Sequence, residues 1–360
     1  MFTPNFQITP KLTKMLMDIE ASRQAVESLP ITVQILTSLR ESARLVSTHY
    51  STQIEGNRLT QEQVQDVLKG GSFPNRERDE REVKNYYLAL DYLDQLINAT
   101  EKAIAEHDIQ VLHGLVMEGK QSASGYRDGQ NVIKDSGSGV IVYMPPEAKD
   151  VPQLMSELVS WINAEFESSN LPAPLVAAIA HYQYATIHPY YDGNGRTARL
   201  LTNLVLHNAG YGLKGIYSLE EYYACDLQAY YKALTIGASH NYYFGRVEAD
   251  ITGWVEYFCA GMANAFGAIR AKASSSATKS QVDQSSLLRE LDARQKQVLS
   301  LFHDSRFITT REVAELLQLK PRTALNVCRK WVEQGFMVQQ GTSNKTRKYE
   351  LADKWLGLLE

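Results

Sequence analysis

Four side chains suited to phosphate-transfer chemistry lie within the twelve residues HPYYDGNGRTAR, at 188–199. His188 can accept a hydroxyl proton, and Asp192 suits a Mg²⁺ ion that bridges phosphate groups. Arg196 and Arg199 are three residues apart, so they share one helix face and each can hold a phosphate oxygen. A base, a metal-binding carboxylate and two cations so close together predict a nucleotidyl- or phosphoryl-transfer site.

The loop between His188 and Arg196 contains DGNG, residues 192–195. Glycines at the entrance to a helix let backbone N–H groups point at an anion, and the helix dipole adds positive potential. A GNG triplet alone is more often a plain turn between helices. The complete string, with its base, carboxylate and arginines, therefore carries the prediction of a phosphate cradle.

The elements that position this segment are predicted to be mainly helical. Apolar residues recur at helical spacing through most of the first 270 residues. One region differs, because NVIK and VIVYM are short β-prone runs around the turn-rich DSGSG, and they predict a β-hairpin inserted among helices. The small polar run ATKSQVDQSS predicts a linker at residues 272–286.

Residues 287–360 have a different pattern. DARQKQVLSLFHDS predicts a helix, Thr309 and Glu312 have the spacing of a capping box for a second helix, and Pro321 suits the first position of a third. VQQGTSNKTRKYEL then predicts two strands around a polar turn, which completes the order of a winged helix-turn-helix. This part carries 13 basic and 9 acidic residues, and the remainder carries 24 and 32. The two parts can therefore have different partners.

Length and composition predict a globular chain of two or three domains. It has 360 residues, 44% of them hydrophobic, and a formal net charge of -4. It has no run of about 18 apolar residues and no signal-peptide core at its start, so we expect a cytoplasmic protein without membrane contact. The three cysteines, Cys225, Cys259 and Cys328, are odd in number and far apart. This spacing predicts reduced, buried thiols.

The string HPYYDGNGRTAR resembles the signature of the Fic (filamentation induced by cAMP) family, His-x-Phe-x-Asp/Glu-Gly-Asn-Gly-Arg-x-x-Arg. Every defined position matches except Tyr190, a conservative change from phenylalanine where the side chain anchors the loop in the core. The resemblance implies a Fic-type helical core at residues 106–271. It also implies protein adenylylation, in which AMP passes from ATP to a hydroxyl group of a target protein and pyrophosphate is lost.

The resemblance implies a role for each position of the signature. His188 deprotonates the target hydroxyl, and Asp192 holds Mg²⁺ on the α- and β-phosphates of ATP. Asn194 reaches the α-phosphate, Arg196 binds the β-phosphate and Arg199 binds the γ-phosphate. The anion cradle as a whole comprises Gly193, Asn194 and Gly195.

The segment from Gly125 onward resembles the Fic flap, a hairpin over the active site, here at about residues 126–146. In the family, an edge of this hairpin holds the target segment by strand addition. Val132 and Ile133 match flap positions near the nucleotide. The resemblance therefore implies a target protein that docks along the hairpin.

Two adjacent aromatic residues, Tyr230 and Tyr231, match a tyrosine pair that lines the adenine pocket in Fic proteins. Two tyrosines on a helix can equally be ordinary core residues. Relatives can place an asparagine seven residues after the second tyrosine, where this chain has Ala238. His181, seven residues before His188, is expected to pack or bond locally and to take no part in catalysis.

A carboxylate stands at a predicted helix end in STQIEGN, residues 51–57. Apolar spacing upstream predicts a helix at about 40–56 that stops at Gly56. Glu55 on the last turn would face the negative end of the helix dipole, at a cost of roughly 0.3 to 1 kcal/mol relative to lysine. A cost this small is also compatible with an ordinary surface glutamate.

Fic proteins that carry their own inhibitory helix show Ser/Thr-x-x-x-Glu-Gly/Asn, which Ser51, Glu55 and Gly56 satisfy. The resemblance implies that Glu55 pairs with Arg199 and keeps the γ-phosphate of ATP from its productive place. A charge-assisted hydrogen bond of roughly 1.5 to 3 kcal/mol would offset the dipole penalty. The chain resembles the class whose inhibitory helix is N-terminal, here within a helical region at residues 1–105.

Two other functions stay open at this stage. With the same fold, Glu55 could align a water molecule that removes AMP from a modified target. Alternatively, the chain is a DNA-binding regulator whose Fic domain senses nucleotides, although winged helices also mediate protein contacts. Oligomeric state is also open, since many Fic proteins form homodimers. The residues that could meet DNA phosphates are Lys320, Arg322, Arg329, Lys330, Lys345, Arg347 and Lys348.

Overall fold

The computed structural model describes residues 2–28, 31, 33–99, 102–134, 139–237, 240–277, 291–341 and 347–356. The chain divides into two compact units, Met1–Ser275 and Ser276–Glu360. The first unit contains both the N-terminal helical region and the predicted catalytic core. Within the described ranges, no helix is both long and apolar enough to cross a membrane.

Helices make up most of the first unit, as the periodicity predicts. In chain order they are α1 (Pro10–Glu27), α2 (Val33–Ile54), α3 (Gln61–Leu68), α4 (Glu77–Asn98), α5 (Glu106–Glu118), α6 (Val151–Ser168), α7 (Ala173–Ile187), α8 (Asn194–Asn208), α9 (Glu220–Cys225), α10 (Leu227–Leu234) and α11 (Thr252–Ala277). The helix predicted at about 40–56 is the second half of α2. It ends at Ile54, so Glu55 lies one residue past the helix and Gly56 has a φ of 93°.

Helix α7 lies at the centre of the core of the first unit. Nearly all of its residues are buried, because its sequence APLVAAIAHYQYATI is apolar on every face. The buried ring of His181 is satisfied locally, with Nδ1 2.9 Å from Thr202 Oγ1 and Nε2 3.0 Å from the Tyr230 hydroxyl. The expectation that His181 bonds locally is confirmed. Helix α8 packs against α7 and continues the core.

A short antiparallel pair of strands interrupts the helices, as predicted from the two β-prone runs. Strands β1 (Ile133–Lys134) and β2 (Ile141–Tyr143) pair with a register shift between Ile133 and Lys134. Beyond β2, the Met144 N–H donates to the carbonyl of His240 at 2.7 Å, and the Met144 carbonyl accepts from Tyr242 N–H at 3.0 Å. Most of the predicted DSGSG turn, residues 135–138, lies outside the described residues.

The second unit contains three helices followed by two strands, in the predicted order. They are α12 (Ala293–Asp304), α13 (Thr310–Leu316), α14 (Pro321–Glu333), β3 (Met337–Gln340) and β4 (Lys348–Leu351), with a last helix, α15 (Asp353–Leu356). The capping box of Thr309 and Glu312 is confirmed, as is Pro321 at the start of α14. Strands β3 and β4 are antiparallel. Buried Val298, Trp331 and Tyr349 belong to the core of this unit.

Two sequence predictions need correction. The predicted linker at 272–286 is helical at its start, because α11 continues to Ala277 and no glycine or proline occurs between Arg270 and Ala277 to stop it. Residues 278–286 lie outside the described residues. Cys259 and Cys328 are buried free thiols as predicted, but Cys225 is exposed, since it ends the short helix α9 on the solvent side.

Candidate active site

The signature segment connects the end of α7 to the start of α8. His188 directly follows α7 and turns the chain with a left-handed backbone, φ 52° and ψ 60°. Tyr190 is 3% exposed, which agrees with its predicted anchoring position. The side-chain amide of Asn194 holds this loop, because its Oδ1 accepts from Tyr190 N–H at 3.0 Å and its Nδ2 donates to the Tyr190 carbonyl at 2.8 Å.

His188 has the protonation state that a general base needs. Burial lowers the pKa of His188 to about 4, and a hydrogen bond to the Ala185 carbonyl opposes this shift. The ring is therefore neutral near pH 7 and has a nitrogen lone pair for a hydroxyl proton. The His188 carbonyl is also occupied, since it accepts from Arg127 Nε at 3.0 Å.

Asp192 lies at the exposed edge of the loop, with 57% of its side chain accessible. Its Oδ1 accepts from Gly193 N–H at 2.6 Å and from Arg196 Nη2 at 3.3 Å. A single accessible carboxylate suits Mg²⁺, which keeps several water ligands and takes others from substrate phosphates. The described residues contain no cluster of three or more metal-binding side chains.

Arg199 is the most buried charge of the segment, with 1% of its side chain exposed. Its Nη2 donates to Glu55 Oε1 at 2.8 Å and to the Ser51 carbonyl at 2.8 Å, and its Nε donates to Ser51 Oγ at 2.8 Å. Burial alone would lower the pKa of Arg199, but Glu55, Tyr230 and Tyr86 together outweigh this effect and the pKa is raised. The residue pair implied by the resemblance is thus in direct contact.

The two glycines of the cradle lie where a side chain would collide with its neighbours. A Cβ at Gly195 would be 2.3 Å from Glu55 Oε1 and 3.2 Å from Arg199 Nη1. A Cβ at Gly193 would be 2.7 Å from Met117 Sδ, and the φ of Gly193, 76°, also favours glycine. The end of α2 therefore rests directly on the first turn of α8.

Two buried donors at this place have no protein partner. Among the described residues, Arg196 Nε and Arg199 Nη1 are buried and make no hydrogen bond. Unsatisfied guanidinium donors beside the N-terminus of α8 (Asn194–Asn208) are the arrangement that an anionic ligand would complete. The residues therefore fit a phosphate-bearing substrate.

His113 was not predicted as a site residue, but it contacts the signature loop at two points. Its ring stacks on Tyr190 with centroids 3.5 Å apart, and its Nε2 donates to the Asp192 carbonyl at 2.9 Å. Burial lowers the pKa of His113 to about 4, so the ring is neutral and well suited to this stacked position. A histidine inside an apolar helix gives no local sign of this contact.

Arg127 is a second residue that the sequence did not predict at the site, although it lies in the segment from Gly125 onward that resembles the flap. Its guanidinium is buried and donates to three carbonyls, those of His188, Gly129 and Pro146. Its backbone N–H donates to the Pro189 carbonyl at 3.0 Å. Arg127 thereby ties both ends of the hairpin region to the signature loop.

The other predicted site residues lie in different surroundings. Val132 and Ile133 are half-buried on the hairpin, at and just before β1. Tyr230 is 2% exposed in the core, whereas Tyr231 is 47% exposed and donates its hydroxyl to the Ile54 carbonyl at 3.3 Å. Ala238 lies outside the described residues. A role for either tyrosine at the nucleotide stays a prediction.

Comparison with known proteins agrees with this geometry. The model of the Fic/DOC family matches residues 103–206. Proteins named protein adenylyltransferase Fic from Drosophila willistoni and Drosophila virilis are each 32% identical over 202 residues, which is 55% of this chain. The match covers 39% and 40% of those two proteins, so the chain spans about two fifths of their length.

Solved structures share the fold. A Fic family protein from Desulfovibrio desulfuricans G20 is 23% identical with a TM-score of 0.60, and the alignment covers 98% of this chain and 99% of that one. Fic-1 from C. elegans is 24% identical with a TM-score of 0.58, over 75% of this chain and 74% of that one. The segment that matches the Fic/DOC family model, residues 103–206, contains the complete signature loop.

Proposed function

We propose that the chain is a self-inhibited protein adenylyltransferase that transfers AMP from ATP to a hydroxyl group of a target protein or of itself. The observation that carries this proposal is the contact of Glu55 with Arg199, 2.8 Å long, at the edge of the anion cradle. The accessible carboxylate of Asp192 and the unpartnered donors of Arg196 and Arg199 support the same reading. The name shared by the Drosophila relatives agrees with it.

In the proposed reaction, neutral His188 takes the proton of the target hydroxyl as its oxygen attacks the α-phosphorus of ATP, and pyrophosphate leaves. Charge on the phosphates is balanced by Arg196, Arg199 and the N–H groups at the start of α8. Asp192 would hold Mg²⁺, which neutralises phosphate charge when bound. The loop needs little rearrangement for this chemistry, because His113, Asn194 and Arg127 already hold it.

Inhibition follows from competition for Arg199. The Glu55 carboxylate occupies the Nη2 donor that a γ-phosphate would use, and a second anion there would be repelled by the first. ATP could then bind only with its triphosphate displaced, and the α-phosphorus would lose alignment with the attacking oxygen. Misalignment of about 1 Å can lower a rate by about 100-fold.

We place the target on the hairpin of β1 and β2, which acts as the family's flap in this proposal. Arg127 anchors the hairpin beside His188, so a segment that adds to the hairpin edge would bring its hydroxyl near the base. Ile141 on β2 is 42% exposed and offers an apolar contact for such a segment.

The test is transfer of label from α-³²P-ATP with Mg²⁺. Glu55→Gly should raise self-labelling at least tenfold over the unaltered protein, since it releases Arg199. The double variant Glu55→Gly with His188→Ala should show none. Glu41→Ala, which changes an exposed glutamate on the same helix, is the matched control and should behave like the unaltered protein. Equal labelling of the unaltered protein and Glu55→Gly would refute the proposal.

Removal of AMP is a second candidate function of the same site. Glu55 is 27% exposed, and only Oε1 takes part in the hydrogen bonds found among the described residues. Its second oxygen could therefore orient a water molecule toward an AMP-modified hydroxyl. Incubation of a purified, AMP-modified target with the unaltered protein would release AMP under this reading, and Glu55→Gly would abolish the release.

For the second unit, we propose contact with duplex DNA through α14 (Pro321–Glu333), acting as the recognition helix of a winged helix-turn-helix. One face of α14 is exposed and mostly basic or amide-bearing, which suits phosphates and base edges. Lys345, named from the sequence as a wing contact, lies outside the described residues. The exposed residues of α14 are Pro321, Arg322, Thr323, Asn326, Arg329, Lys330 and Glu333.

A binding titration of the full chain with a labelled random-sequence duplex tests this second role. Binding should weaken steeply with salt, and Arg322→Ala with Arg329→Ala should weaken it at least tenfold at low salt. Glu333→Gln, on the same helix, should not weaken binding and is the control. Absence of binding at low salt would remove DNA as a partner and leave a protein contact as the use of this unit.

A further inference from the structure

A second buried carboxylate, Glu220, lies outside the signature at the start of α9 and is 1% exposed. Its two oxygens accept four hydrogen bonds from neutral donors. Oε2 accepts from Ser47 Oγ at 3.0 Å and from Ser218 Oγ at 2.8 Å. Oε1 accepts from Asn203 Nδ2 at 3.1 Å and from the Tyr86 hydroxyl at 3.4 Å. We call these five residues the Glu220 cluster.

The Glu220 cluster joins separate parts of the first unit. Ser47 belongs to α2, Tyr86 to α4 and Asn203 to α8, while Ser218 precedes α9. A buried carboxylate is strongly unfavourable unless its oxygens are hydrogen-bonded. The donors are therefore held in one arrangement. The helices that carry these donors are held in the same way.

The Glu220 cluster lies on the same faces of α2 and α8 as the contact between Glu55 and Arg199. Three residues of α2 and the turn after it recur at four-residue intervals: Ser47, Ser51 and Glu55. Three residues of α8 do the same: Asn203, Arg199 and Gly195. Four-residue intervals put each set on one helix face, so the two faces meet in three contacts along their length.

Each of these contacts is visible in the structure. Glu55 lies over Gly195, which has no side chain to exclude it. Ser51 accepts from Arg199. At the far end, Ser47 and Asn203 both donate to Glu220. The Tyr86 hydroxyl adds a third donor at this end, because it also hydrogen-bonds Glu220.

We propose that Glu220 is a positioning residue for inhibition: through Ser47 it fixes the axial position of α2 on α8, so that Glu55 meets Arg199. A helix rises about 1.5 Å per residue. A slide of α2 by one residue would therefore break a hydrogen bond of 2.8 Å such as that between Glu55 and Arg199. This inference rests on the proposed function, since it assigns the cluster to the control of that same site.

The experiment measures self-labelling from α-³²P-ATP in two backgrounds. Ser47→Ala removes only the α2 bond to Glu220, and Glu220→Gln keeps the size of the side chain while it removes the charge. Glu221→Gln changes the exposed neighbour and is the control. Each change is made in the unaltered chain and in Glu55→Gly. Ser47→Ala keeps the test decisive if Glu220→Gln folds poorly.

We expect Ser47→Ala and Glu220→Gln to raise labelling about three- to tenfold in the unaltered chain, and Glu221→Gln to leave it unchanged. In the Glu55→Gly background they should add nothing, because the contact that they loosen is already absent. Purely structural damage would instead lower labelling in both backgrounds, and that outcome would overturn the inference.

The two proposals fail in different ways. If Glu55→Gly raises labelling while Ser47→Ala and Glu220→Gln do not, the role of Glu220 is refuted and self-inhibition stands. If Glu55→Gly itself gives no rise, self-inhibition is refuted, and the positioning role falls with it.

Discussion

The ion pair between Glu55 and Arg199 should stabilise the fold while it suppresses activity. Arg199 has 1% of its side chain exposed, and Glu55 is the carboxylate that contacts it. Glu55→Gly leaves this buried guanidinium without its counter-charge. A hydrogen bond to a charged group contributes roughly 1.5 to 3 kcal/mol to the free energy of unfolding. Because Glu55 is itself 27% exposed, we expect the lower end of that range.

A loss of about 1.5 kcal/mol corresponds to a Tm decrease of roughly 3 to 6 °C for a domain of about 150 to 250 residues. Binding of ATP should have the opposite effect and raise the Tm of this variant. In Glu55→Gly the triphosphate replaces the missing negative charge beside Arg199, so ATP should restore stability. At about 100 times the Kd, mass action contributes roughly 2.7 kcal/mol.

The assay is thermal unfolding with and without Mg²⁺ and ATP, in a His188→Ala background that prevents transfer. Without ATP, Glu55→Gly should melt below its parent. With ATP, its upward shift should exceed that of the parent, in which the carboxylate competes for Arg199. Glu55→Gln keeps the shape and the acceptor but not the charge, and should lie between the two.

Two results would refute the reasoning about this ion pair. One is a Tm of Glu55→Gly equal to or above that of its parent in the absence of ATP, which would mean that the pair adds no stability. The other is an equal ATP-induced shift in both proteins, which would mean that Glu55 does not compete with the triphosphate.

Further predictions concern the base, the flap and the loop, all measured in the Glu55→Gly background. Because the pKa of His188 is lowered to about 4, the base stays deprotonated above that value. Labelling at saturating Mg²⁺ should therefore be nearly equal at pH 5.5 and pH 7.5, and a half-maximal rate near pH 6.5 would contradict this. Arg127→Gln, which breaks contacts to the His188, Gly129 and Pro146 carbonyls, should lower labelling about tenfold, whereas Arg81→Gln on exposed α4 surface should not. His113→Phe keeps the stack on Tyr190 but loses the bond to the Asp192 carbonyl, so labelling should fall several-fold with most stability retained; an unchanged rate would exclude a role in holding the loop.

Much of the fold was predictable from local pattern. The periodicity of α4, α5, α7 and α8 is strong, and the starts of α13 and α14 are marked by the N-cap Thr309 and by Pro321 at the first helical position. Errors arose where local signals are weak. Helix α11 runs into a stretch of alanine and serine that carries no stop, and Cys225 is exposed although its residue type favours burial.

The candidate site also contains residues that local pattern predicts and residues that it does not. His188, Asp192, Arg196 and Arg199 were identifiable because phosphate chemistry needs them together on one loop and the first turns of one helix, so their sequence spacing already determines their geometry. His113 and Arg127 were not identifiable. Each acts on the loop from an element far away in sequence, and neither occurs in a pattern that demands such a contact.

The sequence by itself determined a mainly helical chain and predicted one compact segment suited to phosphate, since both inferences depend on residues that are neighbours along the chain. It also contained Glu55, whose position at a helix end is locally unfavourable by a small margin. No local pattern brings Glu55 to an arginine 144 residues away; the resemblance implied this pairing, and only the tertiary structure shows the contact, over a glycine that leaves room for it. The physical reason is helix packing: the register of α2 on α8, with buried Glu220 at its far end, is a property of two surfaces and not of either sequence segment.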